Sequence, residues 1–272
     1  MSPTRRAVRR PLARRRVPRA AALALLVVSA TGCSNQALDE WSRGGMPEGI
    51  TTQAEVVQNL WNGSWIAAIA TGVVVTALIL WACIFHRKKK NSKDELPPQV
   101  RYNLPIEILY TVVPIIMVSV FFYFTARDQE VLTKVSNTPD LTVKVEAFQW
   151  SWRFTTSYQD KKAEVVGMPV SDYRKGPQLV LPVNKKVLFE LHSPDVIHSF
   201  WVPAFLFKRD VIPGNINKNN KFEITTLDKP GVYAGRCAEL CGVDHSRMLF
   251  SVKLVSQAEY DAYIAGQAGR AQ

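Results

Sequence analysis

Two apolar runs dominate what this chain can fold into. Residues 64–85 contain no charged side chain, and residues 104–126 contain one, Glu107. Each is long enough to cross the hydrocarbon core of a bilayer, which takes about 20 helical residues. Between them, residues 86–103 carry Arg87, Lys88, Lys89, Lys90, Lys93 and Arg101 against only Asp94 and Glu95. Such basic clusters stay on the cytoplasmic side. The pattern therefore predicts a transmembrane helical hairpin, with residues 33–63 and everything after about 127 outside. The competing arrangement, two core helices of a soluble protein, would have to bury both runs completely.

The formal net charge of +11 invites a nucleic-acid partner. Setting aside residues 1–32, which hold eight arginines and no acid, lowers it to +3, and the link at 86–103 alone carries +4. The basicity thus marks targeting and topology, and no nucleic-acid partner is expected. Residues 1–32 have the layout of an export signal, with an arginine-rich start, an apolar run from Ala20 to Ala30, and then Thr31-Gly32-Cys33. A cysteine after small residues resembles a bacterial lipobox, which would make Cys33 a lipidated N-terminus. An uncleaved anchor, or an ordinary signal with an incidental cysteine, is the alternative.

From Leu141 onward the chain changes to short β-rich runs: LTVKVEAFQWSWRF, QLVLP, VLFELH, KFEITT and LFSVKLV, with Pro-Gly pairs at 213–214 and 230–231. Val143, Val145 and Ala147 alternate with Thr142, Lys144 and Glu146, so one strand face is apolar. Strands at this spacing predict a β-sandwich over residues 127–272. By the same alternation Phe148, Trp150 and Trp152 are expected on one shared face.

The chemistry is concentrated in Cys237-Ala-Glu-Leu-Cys241-Gly-Val-Asp-His245-Ser-Arg-Met248, with a further imidazole at His198. Two thiolates, two imidazoles and a thioether form a soft donor set that favours copper over hard cations. A disulfide would need only the cysteines. A structural zinc site usually has Cys-x2-Cys spacing, and neither alternative uses the methionine.

Over residues 104–255, and most specifically in HSFWVP, KRDVIPG and PGVYAGRCAELCGVDHSRM, the chain is similar to subunit II of the haem-copper cytochrome c oxidases. That resemblance implies a two-helix transmembrane hairpin plus an all-β, cupredoxin-like sandwich holding a binuclear copper centre. In the family's pattern Cys237 and Cys241 bridge two copper ions, and His198 and His245 cap one each. Met248 and the backbone carbonyl of Glu239 are then the weak ligands.

The same resemblance implies that Glu239 also reaches a magnesium ion shared with the catalytic subunit I; the plainer role is a solvated loop acid. It implies that Trp150 is the surface ring that receives electrons from cytochrome c, where core packing is the alternative. Glu107, followed by Thr111 and Pro114, matches the mouth of a proton channel, although an acid after Pro105 also suits a helix start. The expected setting is a bacterial plasma membrane, with the copper domain outside and subunits I and III as partners.

Parts of the sequence depart from the family's pattern or bear on its electron donor. Residues 127–272 contain 19 Lys+Arg and 16 Asp+Glu, so no broad acidic field would draw in a free basic cytochrome. No Cys-x-x-Cys-His is present, so the chain does not carry its own c-type haem. The expected donor is a cytochrome tethered in the membrane or in a supercomplex. Asn215 stands where the family usually has Arg after Pro-Gly. A copper-delivery lipoprotein would need neither hairpin nor Trp150. A quinol oxidase subunit would lack the ligands, and nitrous oxide reductase would need a propeller this chain cannot contain.

Overall fold

A computed structural model describes residues 35–87, 99–214 and 220–268. The expectations for residues 1–32, Cys33 and Asn215 fall outside them. A short helix, α1 (Asn35–Ser42), belongs to a first unit. The second unit, from Arg43 onward, holds, among the described residues, two long helices and a sandwich of ten strands.

The first long helix, α2 (Thr52–Phe85), starts twelve residues before the apolar run begins. Thr51 caps it, its Oγ1 accepting the Ala54 N–H at 3.1 Å. The cap is pinned to the sandwich. Ile50 N–H donates to Ala204 O at 3.0 Å, Leu227 N–H donates to Ile50 O at 2.9 Å, and Thr51 bridges to Thr226. Ile50, Thr51 and Ala54 are all buried. At 1.5 Å per residue, 34 helical residues run about 50 Å, well beyond a hydrocarbon core of about 30 Å. Hydropathy marks only the part that fits lipid; the polar first turns are helical because they dock on protein.

The second long helix, α3 (Leu104–Thr133), likewise outruns its apolar stretch. No residue in the apolar stretch of either helix is buried by protein. A soluble protein's core helices would be covered. These bare apolar surfaces fit a membrane.

The sandwich strands are β1 (Leu141–Phe148), β2 (Ser151–Tyr158), β3 (Lys161–Val166), β4 (Gln178–Pro182), β5 (Lys186–His192), β6 (His198–Val202), β7 (Phe207–Val211), β8 (Lys221–Thr225), β9 (Gly231–Cys237) and β10 (Leu249–Val255). One sheet runs β3-β2-β1-β5-β8 and the other β4-β10-β9-β6-β7. Most pairs are antiparallel, but β1 with β5 and β10 with β4 are parallel. The expected apolar face of β1 is the core face: Val143, Val145 and Ala147 are fully buried. Aromatic rings fill the space between the sheets, with Phe200 stacked on Phe250 at 5.0 Å and Phe189 on Phe222 at 4.7 Å. A final helix, α4 (Gln257–Ala268), packs against β3 and β4 and buries Tyr260, whose ring meets Tyr158 of β2 edge-on at 5.3 Å.

One expectation fails. Phe148, Trp150 and Trp152 do not share a face. Phe148 pairs with Ser151, so Gln149 and Trp150 form the turn of the β1–β2 hairpin. The turn resets the parity. Trp152 goes into the core, Phe148 faces outward near Arg153, and Trp150 is left half-buried at the hairpin tip.

Candidate metal centre

Three chain segments bring the ligands together. His198 opens β6, Cys237 closes β9, and the segment from Cys241 to Met248 forms the loop between β9 and β10. Strand pairing sets Phe200 opposite Cys237. Ala238 N–H donates to Ser199 O at 3.0 Å, and Cys237 N–H donates to Met248 O at 3.1 Å. The buried indole of Trp152 also donates to Met248 O, at 3.1 Å. The ligand loop is thus held by backbone bonds on both sides and from beneath.

The donors fall into two halves. Cys237 Sγ lies 3.9 Å from His198 Nδ1 and 3.2 Å from the Glu239 carbonyl oxygen. Cys241 Sγ lies 3.6 Å from His245 Nδ1 and 3.3 Å from Met248 Sδ. The two sulfurs are 3.9 Å apart. A disulfide needs about 2.05 Å, so these are free thiols. The donor atoms of His198, Cys237 and Cys241 lie within 4.8 Å of one another. A single tetrahedral zinc would use four donors and leave the rest over. Two thiolates placed between two imidazoles, with a thioether on one side and a carbonyl on the other, fit a pair of soft ions.

The electrostatics point the same way. Burial pulls the His198 imidazole toward its neutral form, but hydrogen bonds and charge from Cys237 and Asp195 outweigh it and raise its pKa. Burial opposes ionisation of Cys237, yet His198 and the backbone amides around its sulfur bring its pKa below the ordinary thiol value. Cys241 is pushed up to about 12, by burial first and then by the neighbouring Cys237 charge. Two thiolates this close coexist only with positive charge between them.

Trp150 lies against this centre. Its indole N–H donates to the Cys241 carbonyl at 3.1 Å, and Gln149 Nε2 donates to the same oxygen at 2.9 Å. Gly242, at φ +126°, makes the approach possible: a Cβ there would stand 2.7 Å from Trp150 Nε1.

Comparison with known proteins gives the centre its family. The family model described as "Cytochrome C oxidase subunit II, periplasmic domain" matches residues 141–255, from the first residue of β1 to the last of β10. The "Probable cytochrome c oxidase subunit 2" of Streptomyces coelicolor is 46% identical, covering 98% of this chain and 91% of that one. The chain belongs to the cytochrome c oxidase subunit II family. Another member, from Mycobacterium tuberculosis, is 37% identical over 92% of this chain and 81% of its own length. Among solved structures, the periplasmic domain of subunit II of cytochrome oxidase from Bradyrhizobium japonicum is 32% identical. It covers 50% of this chain and 99% of that one, with a TM-score of 0.44.

The remaining residues singled out from the sequence lie apart from the centre or only partly in it. The Glu239 side chain is exposed. Glu107 sits in the first turn of α3, where its Oε1 accepts the Asn103 N–H at 3.1 Å while Asn103 Oδ1 accepts the Ile106 N–H at 3.4 Å. This reciprocal pair caps the N-terminus of α3. Thr111 Oγ1 donates to Glu107 O at 2.8 Å, and Pro114 lies inside the helix.

Sequence reasoning missed Asp195, whose Oδ1 is 2.9 Å from His198 Nε2. A carboxylate three residues before a candidate ligand histidine was the available signal. It also passed over Ile197, Leu240 and Val243, which stand exposed on the ligand-bearing loops at 43%, 77% and 83%.

Proposed function

We propose that this chain is the electron-accepting subunit of a cytochrome c oxidase, and that Cys237, Cys241, His198, His245, Met248 and the Glu239 carbonyl hold two copper ions. The observation that carries the proposal is the division of the donors into two like halves joined by sulfurs 3.9 Å apart. Copper bound there supplies one-electron redox chemistry at a single shared centre. The protein's contribution is rigidity. Cys237, Cys241, Met248 and His198 are buried, and the backbone of each strand around them is paired, so the donors have little room to shift as charge changes.

Trp150 serves as the receiving ring. It is partly exposed at the hairpin tip, and its N–H bonds to the carbonyl of a ligand cysteine, giving a short through-bond route inward. Ile197, Leu240 and Val243 provide an apolar rim for a docked donor. The near balance of charge over residues 127–272 favours a donor held nearby in the membrane or in a larger assembly over one captured from solution. The electrons then go to a catalytic subunit I, with subunit III in the same complex, for reduction of oxygen to water coupled to proton pumping.

Finer roles complete the proposal. The exposed Glu239 carboxylate is free to reach a magnesium ion at the junction with subunit I. Glu107 stands at the cytoplasmic mouth of a proton path; among the described residues its Oε2 has no hydrogen bond. Cys33 carries lipid after cleavage of residues 1–32, placing the mature protein in a bacterial plasma membrane with its copper domain outside.

The deciding experiment is electron paramagnetic resonance of the copper-loaded, purified protein together with metal analysis. Two coppers per chain and a mixed-valence signal with hyperfine structure from both nuclei are expected. One copper, or zinc, at saturation overturns the proposal. Intact mass of the mature protein tests the Cys33 assignment, and retention of residues 1–32 rejects it.

A further inference from the structure

Asp195 lies in the loop between β5 and β6, and its two carboxylate oxygens face different neighbours. Oδ1 lies 2.9 Å from His198 Nε2, accepts the Val196 N–H at 2.6 Å and is 3.2 Å from Ser193 Oγ. Oδ2 accepts the Gln149 N–H at 2.7 Å. Gln149 and its neighbour Trp150 both donate their side-chain N–H groups to the Cys241 carbonyl. A single side chain therefore touches the imidazole of one half-site and the turn that lies over the other.

The proton arrangement follows from the partners. A neutral imidazole has one N–H, and a carboxylate can only accept, so the proton belongs on Nε2. That leaves the lone pair on Nδ1, the nitrogen that faces Cys237 Sγ. Metal-bound histidines commonly gain their orientation and donor strength from such an outer carboxylate. The second imidazole is held differently: His245 is only half-buried, and among the described residues its Nε2 has no hydrogen-bond partner.

We infer that Asp195 is the positioning residue that links electron uptake to the metal centre. One oxygen fixes His198 with Nδ1 turned toward the metal, and the other holds the Gln149–Trp150 turn on Cys241. The inference rests on the copper assignment above. Its negative charge, placed on the far side of a ligand, also stabilises the more positive, oxidised state of the centre.

Asp195→Asn keeps one acceptor oxygen and replaces the other with a donor, so one contact must set donor against donor. Asp195→Ala removes both. In the complete oxidase, both variants are expected to lose copper to a chelator about ten- to a hundredfold more readily. Both should show a higher reduction potential of the copper pair and take up electrons more slowly from the donor. Wild-type chelator resistance, potential and uptake rate in both variants overturn the inference.

A measurement on the unaltered protein decides the matter if the variants do not fold. In the full chain labelled with 15N-histidine and fully reduced, hence diamagnetic, the His198 Nε2 proton should be visible and exchange far more slowly than that of His245. Equal, fast exchange at both rejects the inference. A wild-type protein with no two-copper signal would defeat the copper assignment and this inference together. A normal wild-type signal with unmoved variants defeats the Asp195 role alone.

Discussion

The indole N–H of Trp150 donates to the main-chain carbonyl of Cys241 at 3.1 Å, which attaches a surface ring directly to a residue whose sulfur faces the metal centre. This bond gives the ring a fixed distance to the centre and explains why the ring is held at the hairpin tip instead of following Trp152 inward.

Replacing Trp150 with Ala should slow electron transfer from the donor by at least about tenfold, equivalent to about 1.4 kcal/mol of barrier. The copper spectrum should stay as in the wild type, because the ring supplies no ligand. Stopped-flow reduction with the physiological donor is the test. Unchanged kinetics would return Trp150 to a packing role.

Gly242→Ala places a methyl group where the indole now lies and forces a residue with a side chain to hold φ +126°. A backbone strain of about 1–3 kcal/mol is expected to lower the melting temperature. Trp150 should also be displaced, and its fluorescence and the electron-uptake rate should change with it. A variant with wild-type stability and uptake would show that the close approach is unimportant.

Copper loading should depend on pH in a defined direction. The Cys241 thiol is raised to about 12, so at neutral pH it is protonated until metal displaces the proton. Apparent affinity therefore rises with pH below that value, and protons are released on binding. Calorimetric titration in buffers of different ionisation enthalpy measures the count; zero protons released would contradict a protonated Cys241.

Ile50→Ala and Thr51→Ala should loosen the sandwich from α2 without touching the metal centre. A buried isoleucine truncated to alanine costs about 2–5 kcal/mol, and loss of a threonine cap about 1 kcal/mol. Thermal unfolding in detergent should shift accordingly while the copper signal persists. An altered copper spectrum in the Thr51 variant would reveal a coupling between the helix cap and the site.

Turnover with free, basic cytochrome c should be weak and vary little with ionic strength, because 19 cations against 16 acids over residues 127–272 create no broad attractive field. Efficient turnover is expected with a tethered donor. Fast activity with the soluble protein that collapses between low and physiological salt would disclose a local acidic docking patch.

Much was decided by composition and order alone. Hydropathy is a property of each residue, so two apolar runs, one without charge and one with Glu107 alone, and a basic link between them were enough for the membrane helices. The soft donor set, too, was legible: five soft or imidazole side chains point to a metal whatever the fold, and alternation in Val143, Val145 and Ala147 correctly marked a core face. What periodicity missed was where a period stops. Gln149–Trp150 reads as strand until Phe148 is seen to pair with Ser151, and only that pairing sends Trp150 outward and Trp152 inward. The helix starts depended likewise on docking: Thr51 caps α2 because Ile50 and Thr226 hold it there. The division of the donors into Cys237 with His198 and Cys241 with His245 was beyond the sequence, since β6 and β9 bring positions 39 residues apart within 3.9 Å. Asp195 was hidden for the same reason. Its meaning lies in reaching Gln149, 46 residues away, and nothing local to either residue encodes that meeting.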